Sequence, residues 1–417
     1  MDVVVRKSEV RGRARPPASK SYTHRAFIAA SLSPSSRISN PLVSEDTIST
    51  LNACKKIGAK FVRRGEEWLF NGVDSIKSYG YFNFYNSGTT LRIFTGLLSL
   101  SPFRSVVDGD RSLRKRPNRE LVLALSELGG KFDGKEPYFP PFSVQGVVKG
   151  GEVEIDAPSS QFISSLIYTL SLAEGDSLLK VKRVKSQPYI DITLEILKES
   201  GVKIKRDGNV YCIPGSQNFR LRRYEVPADF SSASYLIASG LIAGEVAVEG
   251  MFESAQGDRR IVDLCREMGG KVRWDRERGV IRAERSELEG VEVDASDIPD
   301  LVPTLAVLAA VAKGETRIYN AEHLRIKEID RIEGINLNLR ALGVEVRPLK
   351  DGLIIKGGKK EFRGVVDSFG DHRMALAFSL LGLLGEVRCK NAEAVSVSYP
   401  GYFRTLQSLG VRINILP

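Results

Sequence analysis

The apolar and polar positions of residues 151–214 change period several times, and each change marks an element. Residues 151–156 (GEVEID) alternate with period two and predict a strand; residues 159–173 are almost entirely apolar and predict a helix buried on all sides. A second strand is expected over 176–182, an amphipathic helix over 188–200, and a hairpin over 202–214 turning at Asp207-Gly208. The order is βαβαββ.

This unit recurs. A helix end, a glycine and a strand follow one another in KKIGAKFV, SELGGKFD, KESGVKIK, REMGGKVR, RALGVEVR and QSLGVRIN, which places Gly58, Gly129, Gly201, Gly269, Gly343 and Gly410 between 67 and 74 residues apart. Glycine just past a helix meets the need for a left-handed cap, where a Cβ would be strained. Six copies fit the length of 417 residues. The sixth stops after one strand, VRINILP, while the chain opens with an unassigned strand, DVVVR, so the N-terminus is expected to complete the last unit.

Three units per domain then predict a domain over residues 16–227 and a discontinuous one made of 1–15 plus 228–417. The chain crosses between them at Pro16-Pro17 and again at residues 225–227. Helices apolar all round need an enclosing shell, so each domain should hold three inside, with amphipathic helices and sheets outside.

Each apolar helix begins with a polar cluster: Lys20-Ser21, Ser87-Gly88, Ser159-Ser160, Ser231-Ser232, residues 297–300 and Asp371-His372. Capping of free helix N–H groups explains Ser and Asp at such places. It does not explain Lys20, Arg25, Arg92 and Arg373, because the macrodipole disfavours cations at a helix start. Parallel inner helices would present these starts on one face per domain, and two opposed faces would form an anion cleft. The loop DGDRSLRKRP adds Arg111, Arg114, Lys115 and Arg116, a grouping common in solvated turns. Lys327 and Arg331, in LRIKEIDRIEG, are expected four apart on one helical face, with Glu328 and Asp330 as compensating carboxylates.

Composition narrows the chemistry. The formal net charge is +10, with 42% hydrophobic and 27% charged residues, which describes a globular chain rather than a disordered one. Four scattered cysteines and three unclustered histidines suggest neither a disulfide framework nor a metal site. The first residues lack a signal peptide's apolar core, and no run reaches the roughly 18 apolar residues of a membrane span, so a cytoplasmic location is expected. There is no P-loop, dinucleotide fingerprint or nucleophile elbow. A basic nucleic-acid-binding protein is the non-enzymatic alternative, although the charges are dispersed and lack aromatic interleaving.

In order along nearly the whole chain, PPASKSYTHRAF, NSGTTLRIF, DGDRSLRKRP, SSQFISSL, KSQPYIDIT, DFSSASY, IPDLVPTLA, LRIKEIDRI and GDHRMALAFSL resemble the motifs of the EPSP synthase (3-phosphoshikimate 1-carboxyvinyltransferase) family. The resemblance implies an α/β fold of two inside-out domains, each of three βαβαββ repeats with buried parallel helices. It implies transfer of the enolpyruvyl group of phosphoenolpyruvate to the 5-hydroxyl of shikimate 3-phosphate, with release of phosphate. Those two small molecules are the implied partners, with no cofactor, metal, nucleic acid or membrane, and the chain is expected to be a monomer.

By the same resemblance Lys20, Ser21, Arg25, Ser159, Ser160, Gln161, Ser186, Tyr189, Asp300 and Lys327 hold shikimate 3-phosphate. Lys20, Gly88, Arg92, Arg116, Gln161, Arg331 and Arg373 hold phosphoenolpyruvate. Asp300 is the implied base or orienter for the 5-hydroxyl, Glu328 the proton donor, and Lys20 an electrostatic stabiliser. Val397 stands where the family usually has Lys, which removes one expected contact, and His323 stands where relatives can have Asn. The enzyme alternative is enolpyruvyl transfer to UDP-N-acetylglucosamine; that family typically carries a Cys in the loop corresponding to DGDRSLRKRP, and this loop has none.

Overall fold

The computed structural model describes residues 1–76 and 79–416, so Pro417 of the final predicted strand lies outside the described residues. The chain divides into a continuous unit, Ala18–Val226, and a discontinuous unit, Met1–Pro17 with Pro227–Pro417.

The continuous unit contains α1 (Lys20–Ser31), α2 (Glu45–Lys56), α3 (Gly88–Leu98), α4 (Arg119–Glu127), α5 (Ser160–Leu172) and α6 (Gln187–Glu199). The discontinuous unit contains α7 (Phe230–Ala243), α8 (Ile261–Glu267), α9 (Val302–Val311), α10 (Arg331–Ala341), α11 (His372–Phe378) and α12 (Tyr402–Ser408). The odd-numbered helices follow the apolar runs. Every residue of α7 and α11 is buried, as is every residue of α9 but Val311. By contrast α4 buries one stripe, Leu121, Val122, Ala124 and Leu125, and leaves the opposite side to solvent.

Among the described residues each unit also holds three four-stranded sheets. In one of them Glu152–Ile155 runs parallel to Ser177–Val181, Val210–Ile213 pairs antiparallel with the latter, and Lys205–Asp207 lies outermost. A parallel pair needs a long crossover, supplied by α5; Lys205–Asp207 and Val210–Ile213, antiparallel neighbours, need only the short turn at Gly208, φ +56°.

Asp2–Arg6 inserts between Glu386–Lys390 and Arg412–Leu416, so the N-terminus does complete the sixth unit. Val3 faces Cys389 and Ile415, and Val5 faces Val387 and Ile413, which buries the alternate valines of DVVVR completely. Two further strand exchanges were not legible in the sequence. Val10–Ala14 pairs with Gly244–Glu249, and Arg223–Glu225 pairs with Ser36–Ser39. Neither VRGRA nor RYE has an apolar alternation to betray it.

All six repeat glycines have positive φ, from +74° at Gly343 to +107° at Gly58. After Gly58 the Ala59 N–H returns to the Cys54 carbonyl, the bond that closes the helix end. The inner helices α3 and α5 run parallel: Gly88 approaches Gln161 at their starts, and Gly96 approaches Ser165 and Thr169 nearer their ends. A Cβ on Gly96 would lie 2.2 Å from Thr169 Oγ1, so only glycine permits this separation. The buried hydroxyls between these helices are satisfied locally, Ser165 Oγ donating to the Arg92 carbonyl at 2.6 Å and Thr169 Oγ1 to Ser165 at 2.8 Å.

Candidate functional site

In the continuous unit, the starts of α1, α3, α5 and α6 carry the polar residues. Ser87 and Ser159 cap α3 and α5 through the N–H groups of Thr90 and Gln161. Lys20 is the first residue of α1, whose Ser19 makes no side-chain cap, and Lys20 Nζ is 2.8 Å from Asp46 Oδ2. Ser160 is buried at the first position of α5. Ser186, with φ +57°, ends the loop before α6, where Pro188 suits a first helical turn.

Arg25 is 1% exposed, and its donors reach only neutral oxygens: Nε to Thr193 Oγ1 at 2.7 Å, Nη1 to the Ser21 carbonyl at 3.0 Å and Nη2 to Ser164 Oγ at 3.2 Å. Thr193 Oγ1 in turn donates to the Tyr189 carbonyl at 3.1 Å, bringing Tyr189 into this group. Burial pulls the Arg25 proton affinity down, and it pulls His24 well below the imidazole range, aided there by Lys20 and Arg25.

Arg92 and Arg116 form the second cationic group. Arg92 Nη1 donates to Gln161 Oε1 at 2.5 Å and to Ser159 Oγ at 3.5 Å, and its guanidinium lies 4.9 Å from the centre of the Phe162 ring. Gln161 Nε2 donates to Thr89 Oγ1 at 2.9 Å. Arg116 Nη2 donates to Asn86 Oδ1 at 2.7 Å and Ser112 Oγ at 3.1 Å, while its buried Nε has no partner. A Cβ on Gly88 would stand 3.2 Å from Arg116 Nη1, so glycine leaves room at the helix start. Arg111, Arg114 and Lys115 of the same loop are exposed, Arg114 pairing with Asp108 at 2.6 Å.

In the discontinuous unit the cations are paired with carboxylates. Arg331, 1% exposed, gives Nε to Asp371 at 2.7 Å, Nη1 to Asp300 at 3.0 Å and Nη2 to Glu328 at 2.8 Å. Burial opposes its charge, but Asp371, Glu328 and Asp300 outweigh burial and raise its proton affinity. Arg373 Nη2 reaches Asp300 Oδ2 at 2.6 Å, and Asp371 also accepts the Arg373 N–H at 2.8 Å, capping α11. Burial lowers Lys327, with Asp300 opposing.

Three expectations need correction. Lys327 and Arg331 do not share a helical face: Glu322–Ile326 is a 3-10 turn, Lys327 is extended, and α10 begins only at Arg331, capped by Asp330. The cap of α7 is Asp229 rather than Ser231-Ser232. Asp300 caps nothing, since α9 begins at Val302 without a side-chain cap; its oxygens go to the two arginines instead.

Sequence reasoning also passed over the supporting carboxylates. Asp46, Asp371, Asp229 and Asp258 are all buried. Asp371 is visible in GDHRM only as a helix start; its second bond spans 40 residues. Asp258 Oδ2 accepts from Ser231 Oγ, and burial together with Asp300 pushes its carboxyl up to about 7 against the pull of Arg373. Burial likewise raises Asp229. Val397 is half-buried in a 3-10 turn, and His323 is buried in another. Among the described residues no group of three or more His, Cys, Asp or Glu is placed to hold a metal ion, and no helix is long and apolar enough to cross a membrane.

The continuous face is thus cationic and largely unneutralised, and the discontinuous face is a dense network of both signs. The first can take multiply charged anions through forked, desolvated donors; the second combines anion binding with carboxylates that can move protons.

The family model for EPSP synthase (3-phosphoshikimate 1-carboxyvinyltransferase) matches residues 4–406. The chain is 81% identical over 413 residues to the 3-phosphoshikimate 1-carboxyvinyltransferase of Archaeoglobus fulgidus, covering 99% of both chains. It is 43% identical to that of Methanothrix thermoacetophila, again over 99% of each. A solved EPSP synthase from Acinetobacter baumannii superposes with a TM-score of 0.84 at 26% identity, covering 99% of this chain and all of the other. An enolpyruvyl transferase from Streptomyces tendae, at 16% identity, covers 99% of this chain and 98% of the other with a TM-score of 0.81, and shares the fold.

Proposed function

The chain belongs to the EPSP synthase family, and on that premise we propose that the helix starts of each unit carry its substrate-binding and catalytic residues. The reaction is transfer of the enolpyruvyl group of phosphoenolpyruvate to the 5-hydroxyl of shikimate 3-phosphate, with release of phosphate. The observation that carries this reading is the 81% identity, over 99% of both chains, to a protein named for that reaction. Aromatic amino-acid synthesis is the corresponding pathway, and we assign the protein to the cytoplasm as a monomer.

The geometry supports a division of labour. Arg25, Lys20, Ser21, Ser159, Ser160, Gln161, Ser186 and Tyr189 hold shikimate 3-phosphate, with Asp300 and Lys327 completing its site. Arg25 suits the role because it is buried with neutral partners only, so an incoming phosphate meets a guanidinium that no carboxylate has neutralised. Gly88, Arg92, Arg116 and Gln161 take phosphoenolpyruvate together with Lys20, Arg331 and Arg373. The buried, unpartnered Nε of Arg116 supports that assignment.

Chemistry then needs an acid, a base and charge stabilisation. Protonation of the vinyl methylene by Glu328 accompanies attack of the 5-oxygen on the adjacent carbon, while Asp300 accepts the hydroxyl proton. Removal of a methyl proton by Glu328 and departure of phosphate, which takes the proton that Asp300 received, restore the enol ether from the tetrahedral intermediate. Lys20 stabilises the developing negative charge.

Phosphate release from phosphoenolpyruvate, measured with shikimate 3-phosphate and with UDP-N-acetylglucosamine in turn, tests the assignment. Release is expected with the first acceptor only. Release with the sugar nucleotide alone overturns it.

A further inference from the structure

Arg331 offers two edges, and they are differently occupied. The side edge, Nε with Nη2, faces Asp371 at 2.7 and 3.4 Å. The end edge, Nη1 with Nη2, faces Asp300 at 3.0 Å and Glu328 at 2.8 Å. Asp371 is wholly buried and fixed a second time by the Arg373 N–H, so it cannot leave. Glu328 is 18% exposed and can; Asp300, 14% exposed, can release Arg331 while Arg373 Nη2 still holds it at 2.6 Å. The end edge is also the fork that a phosphate or carboxylate would use.

We infer that phosphoenolpyruvate and the two reacting carboxylates compete for this end edge: binding of the substrate anion displaces Glu328 and Asp300, and Glu328 then takes up from solvent the proton it delivers to the methylene. The inference rests on the function proposed above and adds to it the origin of the proton. A carboxylate held on a guanidinium is a poor acid, because that contact favours its ionised form; loss of the guanidinium and arrival of an anion both favour protonation.

The charges around Glu328 point the same way. On its own segment stand Lys327, Asp330 and Arg331, with Asp330 engaged by Arg325 at 2.6 Å. From neighbouring elements Asp300, Asp371 and Arg373 act on the guanidinium that holds Glu328. Three carboxylates already share Arg331, so an added anion requires either release or neutralisation of one of them. Asp371 remains as the fixed partner, which keeps the guanidinium oriented while its end edge changes hands.

Proton uptake on binding is the direct test. Phosphoenolpyruvate is titrated calorimetrically into the complex with 5-deoxyshikimate 3-phosphate, which lacks the accepting hydroxyl, in two buffers of different ionisation enthalpy. Wild type should take up about 0.3 to 1 proton more than Glu328→Gln near neutral pH, and the difference should grow toward acid. Protonation changes of the substrates themselves cancel in that difference. Equal uptake by the two proteins overturns the inference. Should Glu328→Gln bind too weakly to titrate, infrared difference spectra of wild type decide: the carbonyl stretch of a protonated carboxyl must appear on binding, and its absence is equally fatal. Phosphate release with shikimate 3-phosphate reports the activity separately, so normal turnover without uptake defeats this inference alone.

Discussion

Arg331 and Asp371 meet at 2.7 Å through Nε and Oδ2, with no more than 1% of either side chain exposed. The same carboxylate caps α11 through the Arg373 N–H. One residue therefore fixes both a side chain and a helix start within the discontinuous unit.

Asp371→Ala leaves a buried guanidinium without its fixed partner and should cost about 3–5 kcal/mol of stability, with the lost cap adding about 1. Asp371→Asn keeps an acceptor for the helix N–H and should cost less. Urea unfolding of the two variants checks the order; equal losses would contradict the charge argument.

Arg373→Ala removes a charge-assisted donor while leaving Asp300 on Arg331 at 3.0 Å. The kcat/KM for phosphoenolpyruvate should fall by about 100-fold or more, with the circular dichroism spectrum unchanged. Unaltered kinetics would remove Arg373 from the site.

Arg25→Met should separate stability from function. Ser164 and Thr193 already bond each other at 2.8 Å, so neither is stranded when the guanidinium goes. The free protein should gain about 1–2 kcal/mol, while shikimate 3-phosphate should no longer raise its melting temperature. A thermal shift with shikimate 3-phosphate equal to that of wild type would refute the role given to Arg25.

Gly96→Ala places a methyl 2.2 Å from Thr169 Oγ1 and 2.5 Å from Ser165 Oγ. Both hydroxyls belong to the packed seam of α3 and α5, so the helices must part. A loss of about 1–3 kcal/mol is expected by thermal or urea unfolding.

Asp258 provides the pH test. Its folded carboxyl is pushed up to about 7 from an ordinary 3.8, first by burial and then by Asp300. Between about pH 4 and 7 the native state holds a proton that the unfolded chain has lost, so this group makes stability fall as pH rises, by up to about 1.4 kcal/mol per unit. Asp258→Asn still accepts from Ser231 and should flatten that slope. Urea midpoints from pH 5 to 8 for both proteins measure it; parallel slopes would rule the assignment out.

The repeat was legible because its marker is conformational: a positive φ at each helix end forces glycine, and six glycines at near-constant spacing count the units. The buried valines of Asp2–Arg6 exposed one strand exchange in the same way. The polar strands Val10–Ala14 and Arg223–Glu225 left no such trace, since their place is set by partners far along the chain. Cations at helix starts were conspicuous because local energetics disfavours them. The carboxylates opposite them were not, because Asp at a helix start has an ordinary capping use and its second partner is distant in sequence. The segment from Lys327 to Arg331 misled for a related reason: a spacing of four suggests a helix, but the capping aspartate in between starts a new one.

The strand exchanges bear on how the polypeptide matures during synthesis. Everything Ala18–Val226 needs is contiguous and can assemble while later codons are still being read. The strand Asp2–Arg6 must instead wait for partners at Glu386–Lys390 and Arg412–Leu416, so the discontinuous half cannot finish until those two strands have left the ribosome.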